Sequence, residues 1–154
     1  MSVQALDAAL DVAADRYAGL GMSARHWARG KLRGDPAYRT VLDHLPSTGR
    51  LLDVGCGEGY LLAAAHAYRP ALALHGIDHD ERRLALARRA LSDVQALTLD
   101  DHDASLAALP AADAVACLDV LHYMPLEKQD QVVDALAVAV RPGGVLLVRD
   151  AEPG

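Results

Sequence analysis

Hydrophobic and polar positions change their period once along this chain, near residue 50. Before that point the spacing is helical. Leu6, Leu10, Ala13 and Tyr17 recur every three to four residues over 4–20, which predicts an amphipathic helix stopped by Gly21. A second, basic helical stretch is predicted over 23–33. Asp35-Pro36 then reads as the N-cap and first helical residue of a third, with Val41, Leu42 and Leu45 as its apolar stripe and Pro46 as its end. After residue 50, short apolar runs at 51–54, 72–77, 94–99, 114–118 and 145–148 alternate with helical segments at 58–68, 80–91, 103–108 and 126–140. Pro125 opens the last helix, and Arg141-Pro142-Gly143-Gly144 closes it.

Near-continuous apolar strands separated by helices predict a parallel sheet covered on both faces. Right-handed crossovers make it a doubly wound α/β layer, in which ligands bind beyond the carboxyl ends of the strands. The chain divides into an N-terminal helical cap, 1–46, and a core, 47–154.

Composition narrows the function. The 154 residues are 52% hydrophobic and 23% charged, the balance of a globular domain with its own core. The net charge of −6 argues against a nucleic-acid partner. Residues 1–50 run the other way, with seven Lys/Arg against five Asp, so an anion-facing element is expected there. Cys56 and Cys117 lie in apolar strand-like surroundings without metal spacing. They read as buried free thiols, a disulfide between them being the alternative, and no metal site is expected. No run approaches the ~20 apolar residues of a membrane span, and Asp7, Asp11 and Asp15 interrupt any leader-like stretch. The expectation is a cytoplasmic protein with no membrane partner.

The candidate chemistry sits at the predicted strand ends. The first strand runs into Leu51-Leu52-Asp53-Val54-Gly55-Cys56-Gly57-Glu58-Gly59. Its alternating glycines permit a tight turn and close approach of backbone to a ligand. The dinucleotide fingerprint wants Gly or Ala one position later, where Tyr60 stands. Asp53, two residues before Gly55, suits a positively charged ligand and is awkward beside a diphosphate. Strand two ends in Gly76-Ile77-Asp78, 23 positions after Gly55. An acid there can accept from both ribose hydroxyls; the other reading is that Asp78 or Asp80 caps the next helix. Strand three ends in Asp100-Asp101, either of which could take an adenine amino group or belong to an acidic turn. Strand four continues into Leu118-Asp119-Val120-Leu121-His122-Tyr123-Met124-Pro125.

The segments LLDVGCGEG, GID, LDVLHYMP and RPGGVLLV, in this order and spacing, resemble the class I S-adenosylmethionine-dependent methyltransferases over roughly 48–150. The stretch 27–32 with Asp35-Pro36 also resembles the N-terminal segment of some bacterial small-molecule members. The resemblance implies a Rossmann-like sheet in the order 3-2-1-4-5 with S-adenosylmethionine as cofactor. It places Asp53, Gly55 and Gly57 at the methionine part, Asp78 at the ribose and Asp100 or Asp101 at the adenine, with Cys56 and His79 as further cofactor contacts. Leu118 and Asp119 form the floor, and Lys31 and Arg29 reach the cofactor carboxylate, a solvated basic face being their other reading. The family sheet has seven strands, ending in an antiparallel hairpin, whereas this sequence reaches Gly154 just past its fifth. Part of the acceptor wall is therefore expected to be missing. An apolar edge at 145–148 would remain, suggesting self-association or a fragment of a longer protein.

Methyl transfer is an in-line displacement in which alignment carries much of the rate. A base is needed only where the nucleophile must lose a proton, and His122 is the best candidate, ahead of His26; its alternative role is to hydrogen-bond its own turn. Strand four lacks the Asn/Asp-Pro-Pro-Tyr signature of many amino-methylating enzymes of nucleic acids and proteins. With the acidic charge, this favours a small-molecule acceptor. The alternatives are a binding module without a full catalytic pocket, and a nicotinamide-dependent oxidoreductase.

Overall fold

The computed structural model describes residues 2–104 and 108–151. Five parallel strands, β1 (Gly49–Val54), β2 (Leu72–Asp78), β3 (Leu97–Asp101), β4 (Ala112–Leu118) and β5 (Val140–Arg149), form one sheet in the order β3-β2-β1-β4-β5. This is the Rossmann-like order that the motifs implied. The order reverses at β1, so the crevice between the ends of β1 and β4 is the topological place for a ligand.

Strand alternation divides the core in two. Leu51, Leu74, Ala114 and Ala116 face one way, packing with α4 (Tyr60–Tyr68) and α5 (Glu81–Ala90). Leu52, Val54, Ile77, Val115 and Cys117 face the other way, against Val132 and Leu136 of α6 (Leu126–Ala139). The helix predicted over 103–108 falls largely on 105–107, outside the described residues.

Helix α4 reads YLLAAAHAY, and Leu61 through Ala65 are all buried. A helix apolar on every side must be covered on every side. The second cover is α1 (Val3–Asp15), whose Leu6, Leu10 and Ala13 join the same apolar cluster. Ser2 caps α1 by accepting from Ala5 N at 3.3 Å. The helix stops earlier than its periodicity suggests. Beyond Asp15 the chain tightens into a 3-10 turn, Ala18–Leu20, in a glycine-containing run of low helix propensity. Tyr17 is turned inward, its hydroxyl donating to Glu58 O at 2.7 Å. Then α2 (Ala24–Gly34) and α3 (Pro36–His44) follow, with Asp35 capping α3 through Ala37 N at 3.0 Å.

Two strands differ most from the apolar runs that predicted them. β3 begins at Leu97 and includes Asp100 and Asp101, because its pairing with β2 (Leu74↔Leu97 to Asp78↔Asp101) sets its limits rather than its hydrophobicity. β5 begins at Val140, and Arg141-Pro142-Gly143-Gly144 is an irregularity inside it, with partners moving from Ala112↔Val140 to Ala114↔Val145. A side chain at Gly144 would stand 2.5 Å from Asp113 O, so the strands approach there only over glycine.

Leu10 is fully buried between α1 and its neighbours. Leu10→Ala should therefore lower unfolding stability by about 2–5 kcal/mol, as a buried leucine does when a cavity is left. A urea titration with an unchanged midpoint would show that α1 is not integral to the core.

Candidate active site

The site begins with a local backbone problem. After Val54 the chain must turn sharply into α4, and it does so with Gly55 (φ 77°), Gly57 (φ 54°) and Gly59 (φ 83°), a left-handed run that only glycine adopts without strain. The exposed N–H groups of this turn are taken up by the end of β2. Gly55 N and Cys56 N donate to Ile77 O at 2.7 and 3.0 Å, and Gly57 N donates to Asp78 Oδ2 at 2.7 Å. A side chain on Gly55 would stand 2.2 Å from Val120 Cγ2. One on Gly57 would collide with the Arg83 guanidinium.

The helix-capping alternative for Asp78 is settled by its neighbour. Asp80 caps α5, accepting from Arg82 N and Arg83 N at 3.0 and 3.3 Å. Asp78 instead accepts from Asp80 N at 2.8 Å and faces a cavity of about 460 Å³. Asp53 faces the same cavity. Both carboxyls are buried, at 4% and 5% exposure. Burial, reinforced by the negative charge of Asp78, pushes Asp53 up to about 7. Tyr38 also lines the cavity, and its hydroxyl is pushed up by burial and then by Asp53.

The opposite wall is built at the end of β4. Leu118, Asp119 and Val120 line it, and Asp119 holds a left-handed φ of 57°. Arg149, at the end of β5, holds Asp119 in place through Nε to Oδ1 at 3.1 Å and through Nη2 to Oδ2. The same guanidinium takes both oxygens of Asp35, at 2.5 and 2.8 Å. Hydrogen bonds from Arg149 thereby hold Asp35 below the ordinary carboxylate range against its partial burial. Lys31 Nζ lies 3.7 Å from Asp35. One arginine thus joins the floor of the cavity to the first turn of α3.

Of the candidates from the sequence, Asp53, Gly55, Cys56, Asp78 and His79 line the cavity on one side, and Lys31, Leu118 and Asp119 on the other. Gly57 lies in the turn beneath, its N–H committed to Asp78. The remaining candidates stand elsewhere. Arg29 pairs with Asp11 at 3.5 Å. Asp100 pairs with His75 Nε2 at 2.6 Å, while Asp101 is exposed at the end of β3. His26 is exposed on α2. His122 lies outside the lining, its Nδ1 2.5 Å from Asp150 Oδ1. Tyr38, Tyr60, Arg83, Tyr123 and Arg149 line the cavity without having been singled out. Tyr60 opens α4 directly after the glycine turn and Tyr123 lies in the LDVLHYMP segment, whereas no motif carries Tyr38, Arg83 or Arg149, and only the folding of α3, α5 and β5 onto the crevice brings those three there. Both cysteines are free and buried. The described residues contain no cluster of three ligands suited to a metal ion, and none of their helices is long and apolar enough to cross a membrane.

The sequence pattern of the methyltransferase domain family matches residues 52–146, from within β1 to within β5. The chain belongs to this family. As a methyltransferase domain it is 31% identical over 136 residues to the tRNA N(3)-methylcytidine methyltransferase of Schizosaccharomyces pombe, covering 82% of this chain and 52% of that protein. It is 33% identical over 105 residues to the trans-aconitate 2-methyltransferase of Methylobacterium nodulans, covering 68% and 39%. Among solved structures, the S-adenosylmethionine-bound amino pentose methyltransferase of Micromonospora echinaspora superposes with a TM-score of 0.68 at 27% identity, over 86% of this chain and 57% of that one. The domain spans about half the length, or less, of these curated relatives.

The tRNA methyltransferase corrects one expectation. The acidic net charge argues against a nucleic-acid partner and favours a small-molecule acceptor, yet a relative of this domain is named for its action on tRNA, so neither restriction stands. Net charge is the wrong quantity, since phosphates respond to local basic surface and not to the sum over a chain.

Asp53 generates a stability prediction. Its folded-state value of about 7 lies above the ordinary 3.8, so the folded domain retains a proton that the unfolded chain releases between those limits. Stability should fall as pH rises from about 4 to 7, and the full penalty applies above that window. Asp53→Asn, which carries no charge, should raise the melting temperature of the ligand-free domain at pH 8, by about 2–4 °C for each kcal/mol gained, and leave it unmoved near pH 4. Scanning fluorimetry at the two pH values reads the difference, and an equal shift at both would remove Asp53 ionisation as the cause.

Proposed function

We propose that this domain binds S-adenosylmethionine and transfers its methyl group to an acceptor. The observation that carries the reading is the pair of buried carboxylates, Asp53 and Asp78, in one cavity at the strand ends. A dinucleotide would set its diphosphate against these acids, whereas the adenosyl sulfonium brings an ammonium, two ribose hydroxyls and no phosphate. The glycine turn leaves room for such a ligand to lie against backbone. When bound, the cofactor supplies a methyl carbon activated by its sulfonium.

In this reading Asp53 receives the ammonium and gives up its proton as it does so. Asp78 keeps its bonds to Gly57 N and Asp80 N and uses its remaining lone pairs for the ribose hydroxyls. His79 flanks the adenine, with the exposed carboxylate of Asp101 beyond it. Lys31 faces the cofactor carboxylate, and Asp119, clamped by Arg149, forms the floor beneath the methyl. Asp100 takes no part, because His75 occupies it, and Arg29 takes none, because it lies outside the cavity lining beside Asp11. His122 is the base where the acceptor requires one. The relatives are named for acceptors of both kinds, tRNA and trans-aconitate, so an assay of this domain needs both arms.

Calorimetry with S-adenosylhomocysteine should show binding, and NADH none; the reverse result would overturn the reading. Asp78→Ala should weaken S-adenosylhomocysteine by about 1.5–3 kcal/mol, roughly 10- to 150-fold, in a variant whose melting curve remains cooperative. Because Asp53 ionises on binding, affinity should tighten as pH rises from 6 to 8. Buffers of different ionisation enthalpy should report a net release approaching about one proton at pH 6, and less at pH 8.

A further inference from the structure

We propose that Asp150 and His122 form a positioned base pair beside the cofactor cavity, and that the acceptor's nucleophile is a hydroxyl. This rests on the methyltransferase reading above and adds to it a residue, Asp150, and an acceptor chemistry.

Asp150 follows β5 directly and His122 follows β4 by four residues, so the two loops meet at adjacent strand ends. Two bonds join them. His122 N donates to Asp150 Oδ2 at 3.1 Å, and the ring Nδ1 lies 2.5 Å from Asp150 Oδ1. An ionised carboxylate only accepts, so Nδ1 carries the proton and Nε2 presents its lone pair. Burial works against ionisation of Asp150. The ring of His122 and the N–H groups of Ala151, His122 and Leu121 outweigh it and hold the carboxyl below its ordinary value.

The arrangement exceeds what the turn requires. The backbone bond from His122 N is enough to tie the two loops together. The imidazole side chain is 35% exposed, so water could satisfy Nδ1 without a carboxylate. A fixed tautomer on a half-exposed ring is instead what a general base needs. Its place fits an acceptor rather than the cofactor. The imidazole is outside the cavity lining, with its centroid 4.0 Å from the ring of Tyr123, which does line it.

A nucleophile that already has a free lone pair, such as a carboxylate or a ring nitrogen, gains nothing from a base, whereas a hydroxyl does; an amine presented as its ammonium would need one too, so transfer confined to amines overturns the hydroxyl assignment. His122 Nε2 takes the hydroxyl proton as the oxygen bonds to the methyl carbon. The electron pair of the broken carbon–sulfur bond stays on sulfur, leaving S-adenosylhomocysteine. The imidazolium, stabilised by Asp150, returns the proton to solvent.

Nitrogen-15 long-range spectra of the labelled domain with S-adenosylhomocysteine test the pairing without knowledge of the acceptor. The His122 ring, assigned by its loss in His122→Gln, should be the Nδ1–H tautomer. In Asp150→Asn it should shift toward Nε2–H while S-adenosylhomocysteine affinity is unchanged. An Nε2–H ring in the parent, or an unaltered ring in the variant, overturns the pairing. Methyl-labelled cofactor should then be offered to matched hydroxyl, amine and carboxylate compounds and to tRNA. Transfer to hydroxyl compounds is expected, with Asp150→Asn lowering kcat at least about tenfold at little change in KM. Transfer confined to carboxylates or to tRNA bases overturns the acceptor assignment. If S-adenosylhomocysteine fails to bind at all, the methyltransferase reading falls instead, and spectra of the ligand-free domain still decide the pairing.

Discussion

The turn after β1 exposes three consecutive backbone N–H groups in a place shielded from water, and the end of β2 is what satisfies them. Ile77 O receives two and Asp78 the third. An unsatisfied buried N–H costs more than an ordinary hydrogen bond gains, so these bonds hold the two strand ends in one relation to each other. The cavity follows from that relation. It places Asp53 and Asp78 on one wall and makes the mouth between β1 and β4 wide enough for a ligand. The glycines contribute by having no side chain, since one at Gly55 would meet Val120 and one at Gly57 would meet Arg83.

Charge is arranged unevenly around this turn. The two acids nearest the strand ends are buried, Asp78 with His79 Nδ1 at 3.8 Å, and Asp53, pressed by burial and by Asp78, holds its proton to about 7. Across the cavity Arg149 is shared between Asp35 and Asp119, while Lys31, 3.7 Å from Asp35 and half-exposed, still lines the cavity. A ligand therefore meets buried acids on one side and, on the other, a floor of paired charges with one ammonium beside it. The methionine end of an adenosyl sulfonium fits that distribution.

The N-terminal helices are tied to the sheet by apolar burial and by this same charge. Helix α1 covers the outer side of α4, and Arg149 fastens the first turn of α3 to the ends of β4 and β5. Tyr17 adds a third tie by donating to Glu58 O within the glycine turn. These few bonds join the N-terminal segment to the walls of the cavity.

The sequence alone determined the elements and their order. Apolar periodicity marked five strands and most of the helices, and the turn glycines with Asp53 and Asp78 were legible because a sharp left-handed bend and an acid at a strand end leave a local signature. It placed β3 and β5 less well, since their limits come from the neighbouring strand and not from their own residues. Tertiary structure decided what long-range pairing decides. Asp80 rather than Asp78 caps α5, His75 occupies Asp100, and Asp11 occupies Arg29. Arg149 and Asp150, unmarked in a chain of many charges, became the partners of Asp119 and His122 only when β5 settled beside β4. A side chain's role at a site depends on which partner reaches it first, and that competition is resolved in three dimensions.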